Sequence, residues 1–483
     1  MPRRFGLPGN KEYFTKAVPI TGTAFLLELM WLFKILEAVN GFVWGVPALI
    51  LILGVGIYLT IKAGFPQIGL FPRAVKTFIT PLSANKKETG TVSPFQALCT
   101  ALAATVGTGN IAGVAGAIAI GGPGAIFWMW ICALLGMVIK CAEATLAVRF
   151  RQKNDAGELV GGPMYMIRKG MGMHWNWLAV LYCVFGVVAA FGVGNCTQVN
   201  AVICSFNDVL RYLGGQESRT GNLLMGIVLA VIIGAMLSGG AKKIGTAAEK
   251  LVPAVSVGYV LLCMIAIISH ASAVPKALSA VVTGAFSPGA VTGGVVGSLF
   301  LALRTGVSRG VFTNEAGMGT ASIAHAGANV QHPVQQGLLG MVEVFIDTVV
   351  ICTLTAMVIL TSGVDILFGV DEGASLTIRA FSATFGNGVS VPIAAFLGCF
   401  ALATILGWSL YGGRCAQFLF GDGAWPVFVA VQGIAVVISS VMNTGTVWII
   451  AETVNGMMSI PNLIALLALS GTFTALVKDF KRK

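Results

Sequence analysis

Apolar stretches about 20 residues long, the length needed to cross a bilayer as a helix, recur along the whole chain. Eleven can be placed, near 38–62, 94–120, 123–148, 177–205, 221–240, 247–270, 284–306, 334–361, 391–413, 424–442 and 446–477, the last divisible into two pieces because Pro461 interrupts it. That pattern confines the chain to an all-α polytopic membrane fold. Composition agrees: 56% of the 483 residues are hydrophobic and 10% charged, against about 25% charged in ordinary soluble domains. The 62 glycines suit closely packed or broken membrane helices.

The net charge of +11 comes from short basic clusters between apolar stretches. With no continuous basic face, it gives no reason to expect a nucleic-acid partner. With the amino terminus outside, 21 of the 30 Lys and Arg residues fall in inner loops and the tail, 4 in outer loops and 5 before residue 38. The positive-inside rule thus predicts an inner-membrane protein with its amino terminus out and its carboxyl terminus cytoplasmic. Residues 1–37 fit least well, so either residues 17–33 form a twelfth span or the natural start lies near Met30. Beyond them the sequence reads as one membrane domain, 38–478, with a basic tail at 479–483. The ten cysteines lie mostly within apolar stretches and show no metal-ligand spacing.

Inside the second stretch stands "ATVGTGNIAG", residues 104–113. As a nucleotide loop it fails, lacking a preceding strand and a downstream acidic residue. Gly109 and Gly113 could serve close helix packing. Thr105, Thr108 and Asn110 argue instead for a discontinuous helix, whose freed amides hold an anion and whose freed carbonyls hold a cation. A counterpart follows in "SLFLALRTGVSRGVF", 298–312, with Thr305 and Gly306 at the expected break. The two fall in stretches two and seven, corresponding positions of two halves, as in inverted-repeat transporters.

The motifs "TVGTGNIAG", "GGPGAIFWMWICALLG" (121–136), "GGPMYM", "RTGVSRGVFTNEAGMGTASIAHA" and "LGWSLYGG" occur in that order. Through them the chain resembles the alanine or glycine:cation symporters, also called sodium:alanine symporters, over roughly residues 38–478. The resemblance implies a LeuT-like core of two inverted five-helix repeats, about 94–270 and 284–477, preceded by one extra helix. It also implies symport of alanine or glycine with Na+ as coupling ion and no organic cofactor.

On that basis the substrate carboxylate is expected at the amides of Gly107, Thr108 and Gly109, and its ammonium near the carbonyls of Phe300 to Thr305. Gln198 and Asn195 are candidate substrate contacts, although such amides also simply join helices. Similarity to the LeuT-like arrangement implies a sodium site of Thr404 with the carbonyls of Ala103, Val106 and Ala401. Ile405 departs from that pattern, standing where a second hydroxyl is expected. Trp408, four residues from Thr404 and on the same helix face, is expected either to wall the pocket or to serve as a packing aromatic.

Asp347 is the candidate for a second cation site with Asn110 and Thr305. Glu343 and Glu452 are expected to be solvated or paired with Arg304 or Arg309, and residues 309–326 to form an inner gate or a re-entrant piece. His325 and His332 are expected in that loop region, without a metal. Proton coupling through Glu343 and Asp347 is the alternative within transporters, and a polytopic membrane enzyme the alternative outside them.

Overall fold

A computed structural model describes residue 34 and residues 38–80, 92–294, 298–370, 373–442 and 445–482. The expected alternative span at 17–33 lies outside the described residues. In chain order the main helices are α1 (Ala38–Lys62), α2 (Pro94–Thr105), α3 (Ala112–Gly121), α4 (Gly124–Phe150), α5 (Met173–Tyr212), α6 (Arg219–Leu237) and α7 (Gly240–Ser269). They continue as α8 (Leu299–Asn314), α9 (Thr320–Ala326), α10 (Pro333–Thr361), α11 (Asn387–Phe420), α12 (Ala424–Ser439), α13 (Gly445–Ala468) and α14 (Ser470–Arg482). A two-stranded hairpin pairs Gln152–Lys153 with Leu159–Val160.

Seven of the described helices are long and apolar enough to cross a membrane unaided: α1, α4, α5, α6, α7, α10 and α11. The pair running from Pro94 to Gly121 passes the same test but bends by 58° at its break. So does the final pair, which bends by 61° between Ala468 and Ser470. The expected division of the last stretch is therefore real but sits at Leu469, while Pro461 is accommodated inside α13.

Burial separates the middle of the bundle from its rim. The most apolar windows of α4 and α10 are 67% and 61% buried, against 22% and 28% for α6 and α7. The outer helices present Leu224, Val228, Val231, Ile265 and Ile268 to the surroundings, which in lipid costs nothing.

One expected span is corrected. Residues 284–306 do not form a single helix, because the short helix Val274–Phe286 ends before Pro288, and Gly293 and Gly294 adopt φ of +66° and +83°. The chain then enters α8. Thr305 and Gly306 lie inside this uninterrupted helix, so the break expected there does not exist. Gly306 serves close packing instead: a β-carbon on it would strike the Ala125 carbonyl and come within 2.7 Å of Trp128 Cβ. The second break comes later, at Glu315 to Gly319, between α8 and α9.

Candidate functional site

The first break is built by its own side chains. Ser93 and Gln96 form a reciprocal cap at the start of α2, with bonds of 3.0 and 3.1 Å, and Pro94 occupies the first turn. That fixes where the helix begins. At its other end Val106 and Gly107 are extended. In a continuous helix the Gly107 amide would reach the Ala103 carbonyl; here it donates to Asn110 Oδ1 at 2.8 Å. The Asn110 amide likewise bonds Gly107 O at 3.3 Å, so the Val106 carbonyl also loses its helical partner.

Thr404 of α11 faces this opened backbone. A β-carbon on Gly107 would lie 2.7 Å from Thr404 Oγ1. That hydroxyl is buried and finds no hydrogen-bond partner among the described residues. A buried oxygen left unpaired is costly, and a cation held with the Ala103 and Val106 carbonyls would satisfy it. Ala401, buried one turn before Thr404, can add its carbonyl through a second lone pair. The donor set fits Na+, a hard cation that takes oxygen ligands.

Asn110 reaches in a second direction. Its Nδ2 donates to Asp347 Oδ1 at 2.6 Å and to the Asp347 carbonyl at 3.2 Å. Thr348 donates to Asp347 Oδ2 at 2.7 Å, Asn314 donates to Thr348 Oγ1 at 3.1 Å, and the Thr313 hydroxyl stands 3.5 Å from it. The expected meeting of Asn110 with Asp347 is present. Thr305 is not part of it: it packs against Gly121 at the far end of α3. Two helical turns further along α8, Thr313 and Asn314 take its place.

A cavity of about 410 Å³ opens beside the break, lined among others by Thr108, Gly109, Thr197, Asn200, Phe312, Arg309 and Glu452. Gln198 is adjacent, its Oε1 accepting from Thr108 Oγ1 at 3.3 Å while its Nε2 donates to the Val193 carbonyl at 3.2 Å. Arg309 and Glu452 face each other at 3.8 Å, one of the pairings expected for Glu452. Phe300 lies away from the site, with 49% of its surface exposed. Asn195 also lies away: its Nδ2 donates to Gln432 O at 3.1 Å and joins α5 to α12.

The second break is closed by carboxylates that sequence reasoning missed. Glu315 adopts a left-handed φ of 54°. Its Oε1 accepts from Trp408 Nε1 at 2.8 Å and its Oε2 from Thr320 Oγ1 at 2.6 Å. Trp408 is thus an anchored, buried side chain outside the cavity wall. Glu143 Oε1 accepts the amides of Gly317 and Gly319, at 2.9 and 3.1 Å, and Asn462 Nδ2 at 2.7 Å.

Glu343 is neither solvated nor paired with Arg304 or Arg309. It is fully buried, with Lys140 Nζ 3.3 Å from Oε1 and His325 Nε2 2.9 Å from Oε2. His325 is correspondingly a buried residue of α9 rather than of a loop. The Glu-Ala-Gly-Met-Gly run, Glu315 to Gly319, was the available signal: a charged residue directly followed by two closely spaced glycines.

Two interrupted helices in a multi-pass bundle, the break of the first lying beside a cavity that the end of α8 also lines, define a secondary transporter. The sodium:alanine symporter family model matches residues 30–483, and the chain belongs to that family. It is 42% identical to the sodium/alanine symporter AgcS of Methanococcus maripaludis, covering 92% of this chain and 97% of that one. It is 36% identical to the probable sodium/glutamine symporter GlnT of Bacillus subtilis, over 92% and 90% of the two chains. The crystal structure of MhsT in complex with L-phenylalanine shares the fold at a TM-score of 0.55 and 15% identity, covering 81% of this chain and 98% of that one. The protein is a cation-coupled amino-acid symporter with a LeuT-like architecture.

Proposed function

We propose that the protein imports alanine and glycine together with Na+ by alternating access, in the inner membrane, with its amino terminus outside and its carboxyl terminus cytoplasmic. The substrate carboxylate sits at the Thr108 and Gly109 amides, the first of a new turn with no carbonyl behind them to bond. Gly107 orders the backbone and spends its own amide on Asn110. The ammonium meets the carbonyl end of α8 at Phe312 and Thr313, beside Gly109. Gln198, bonded to Thr108, orients the substrate.

One Na+ is held by Thr404 Oγ1 with the carbonyls of Ala103, Val106 and Ala401, and a second by Asp347 with Asn110 and Thr313. The observation that carries the cation assignment is the unpartnered Thr404 hydroxyl against the opened backbone at Gly107. Each Na+ crossing about 100 mV with a tenfold gradient supplies about 3.7 kcal/mol, enough for accumulation on the order of 500-fold.

The test is uptake of labelled alanine, glycine and glutamine into proteoliposomes, with Na+ or H+ as the only gradient. Sodium-driven uptake of alanine and glycine is expected. Glutamine uptake in their place would move the substrate assignment toward larger side chains, for which the cavity volume leaves room, and proton-driven uptake would overturn the choice of ion.

A further inference from the structure

The end of α1, the turn that follows it, the short helix Phe71–Ile79 and α14 meet at a corner of the bundle away from the transport site. Lys481 of α14 donates to the Gly64 carbonyl at 3.3 Å, and the Arg73 guanidinium lies 6.0 Å from the centre of the Phe480 ring. Lys62, the last residue of α1, donates to Ser470 Oγ at 2.8 Å where α14 begins. Because α1 is long enough to cross the membrane unaided, its end marks the level of the lipid headgroups.

The charge at this corner has one sign. Residues 62–80 and 470–482 carry six cations, Lys62, Arg73, Lys76, Lys478, Lys481 and Arg482, against one carboxylate, Asp479. All six are exposed. Asp479 already holds His332 at 3.2 Å, and among the described residues none of the six cations stands in an ion pair. The two short helices explain how the charge is displayed. α14 bends 61° away from α13 and buries Phe473, Thr474 and Val477, which leaves Lys478, Lys481 and Arg482 on its outer side. Phe71–Ile79 buries Ala74 and keeps Arg73 and Lys76 outside.

Immediately beside these cations the surface is apolar: Ile61, Phe65 and Ile68 are 65%, 52% and 69% exposed. Phe65 adopts a left-handed φ of 52°, directly after Gly64 at 70°, a conformation that is costly for a bulky side chain. Its amide bonds the Thr60 carbonyl at 2.8 Å, which turns the chain back on α1. The outcome is an aromatic ring carried outside the bundle, next to the carbonyl that Lys481 holds.

We propose that this corner binds an anionic phospholipid, its phosphate against Arg73 and Lys481 and its acyl chains over Phe65 and Ile68. Both halves of such a lipid are matched, the phosphate by unpaired cations and the hydrocarbon by exposed apolar side chains. Lys481 uses one of its three N–H groups on Gly64, and Arg73, with the Phe480 ring across its face, keeps its N–H fork for oxygen acceptors. In the proposed orientation the site lies in the inner leaflet, and its lipid joins the end of α1 to α14.

The test is native mass spectrometry of the purified full-length protein, titrated with phosphatidylglycerol, with phosphatidylcholine of the same chains, and with inorganic phosphate. The wild type is expected to bind phosphatidylglycerol roughly 25-fold more tightly than phosphatidylcholine, as two cations beside an anionic headgroup require. Arg73→Gln with Lys481→Gln should remove that preference. Lys242→Gln with Lys250→Gln, which removes two exposed cations of α7, should keep it. Phe65→Gly, which suits the left-handed backbone, should weaken both lipids roughly threefold or more and leave their ratio unchanged. Equal affinity for the two lipids overturns the proposal, as does a preference that survives in Arg73→Gln with Lys481→Gln, an equal loss in the α7 variant, or unchanged lipid affinity in Phe65→Gly. Displacement of phosphatidylglycerol by inorganic phosphate also overturns it, since the site would then be one for a free anion.

Discussion

Gly107 and Thr404 approach so closely that a β-carbon on the glycine would stand 2.7 Å from the threonine hydroxyl. Gly107→Ala should therefore displace Thr404 Oγ1 from the opened backbone and raise the sodium concentration for half-maximal uptake by roughly tenfold or more, about 1.4 kcal/mol of ligand binding. The double variant Gly107→Ala with Thr404→Ala should recover wild-type thermal stability but not sodium affinity, since it relieves the clash without restoring the oxygen. Sodium titration of uptake, paired with thermal unfolding, reads both effects.

Asn110 Nδ2 donates to Asp347 Oδ1 at 2.6 Å, which holds the carboxylate in place for the second cation site proposed above. Asp347→Asn should weaken sodium activation roughly tenfold or more and lower the cooperativity of the sodium dependence. Asn110→Ala should abolish sodium-dependent uptake while the protein still reaches the membrane. Wild-type kinetics in Asn110→Ala would remove both the substrate pocket and this ion site from consideration.

The buried pair of Lys140 and Glu343 makes a stability prediction independent of transport. Lys140→Met strands a buried carboxylate and should cost about 3–5 kcal/mol, whereas the double variant Lys140→Met with Glu343→Gln should regain a large part of that loss. Scanning fluorimetry of the purified variants in one detergent compares them. Equal melting temperatures for wild type and Lys140→Met would show that the pair contributes no net stability.

Gln198 and Asn195 lie three residues apart on α5 but do different work. Gln198→Leu should raise KM for the amino acid, because the side chain bonds Thr108 at the first break. Asn195→Leu should leave KM within about twofold and lower stability by about 1 kcal/mol, the worth of one hydrogen bond. Thr305→Ser, remote from both proposed ion positions, should transport at the wild-type rate.

Most of the fold was legible because the bilayer forces a simple rule: a helix about 20 apolar residues long for each crossing. The first break was legible for the same reason, as Thr105, Thr108 and Asn110 had no cheap explanation inside an apolar helix. The second was misplaced because Thr-Gly at 305–306 looks alike whether it interrupts a helix or admits a neighbour, and only the approach of Gly306 to Ala125 separates the two. The ion pair of Lys140 with Glu343 joins residues some two hundred positions apart, and no local pattern encodes that distance. The shift from Thr305 to Thr313 follows from the misplaced break.

The carboxylate clamp on the second break makes the two interruptions chemically unequal. There the amide of Ala316 is taken by Asn314, that of Met318 by the Glu315 carbonyl, and those of Gly317 and Gly319 by Glu143. The four amides from Ala316 to Gly319 are thus engaged, while the first break keeps the amides of Thr108 and Gly109 at the start of its turn. In the binding mode proposed above, an amino acid therefore turns its carboxylate toward the first break, because the backbone of the second has already been given an internal anion.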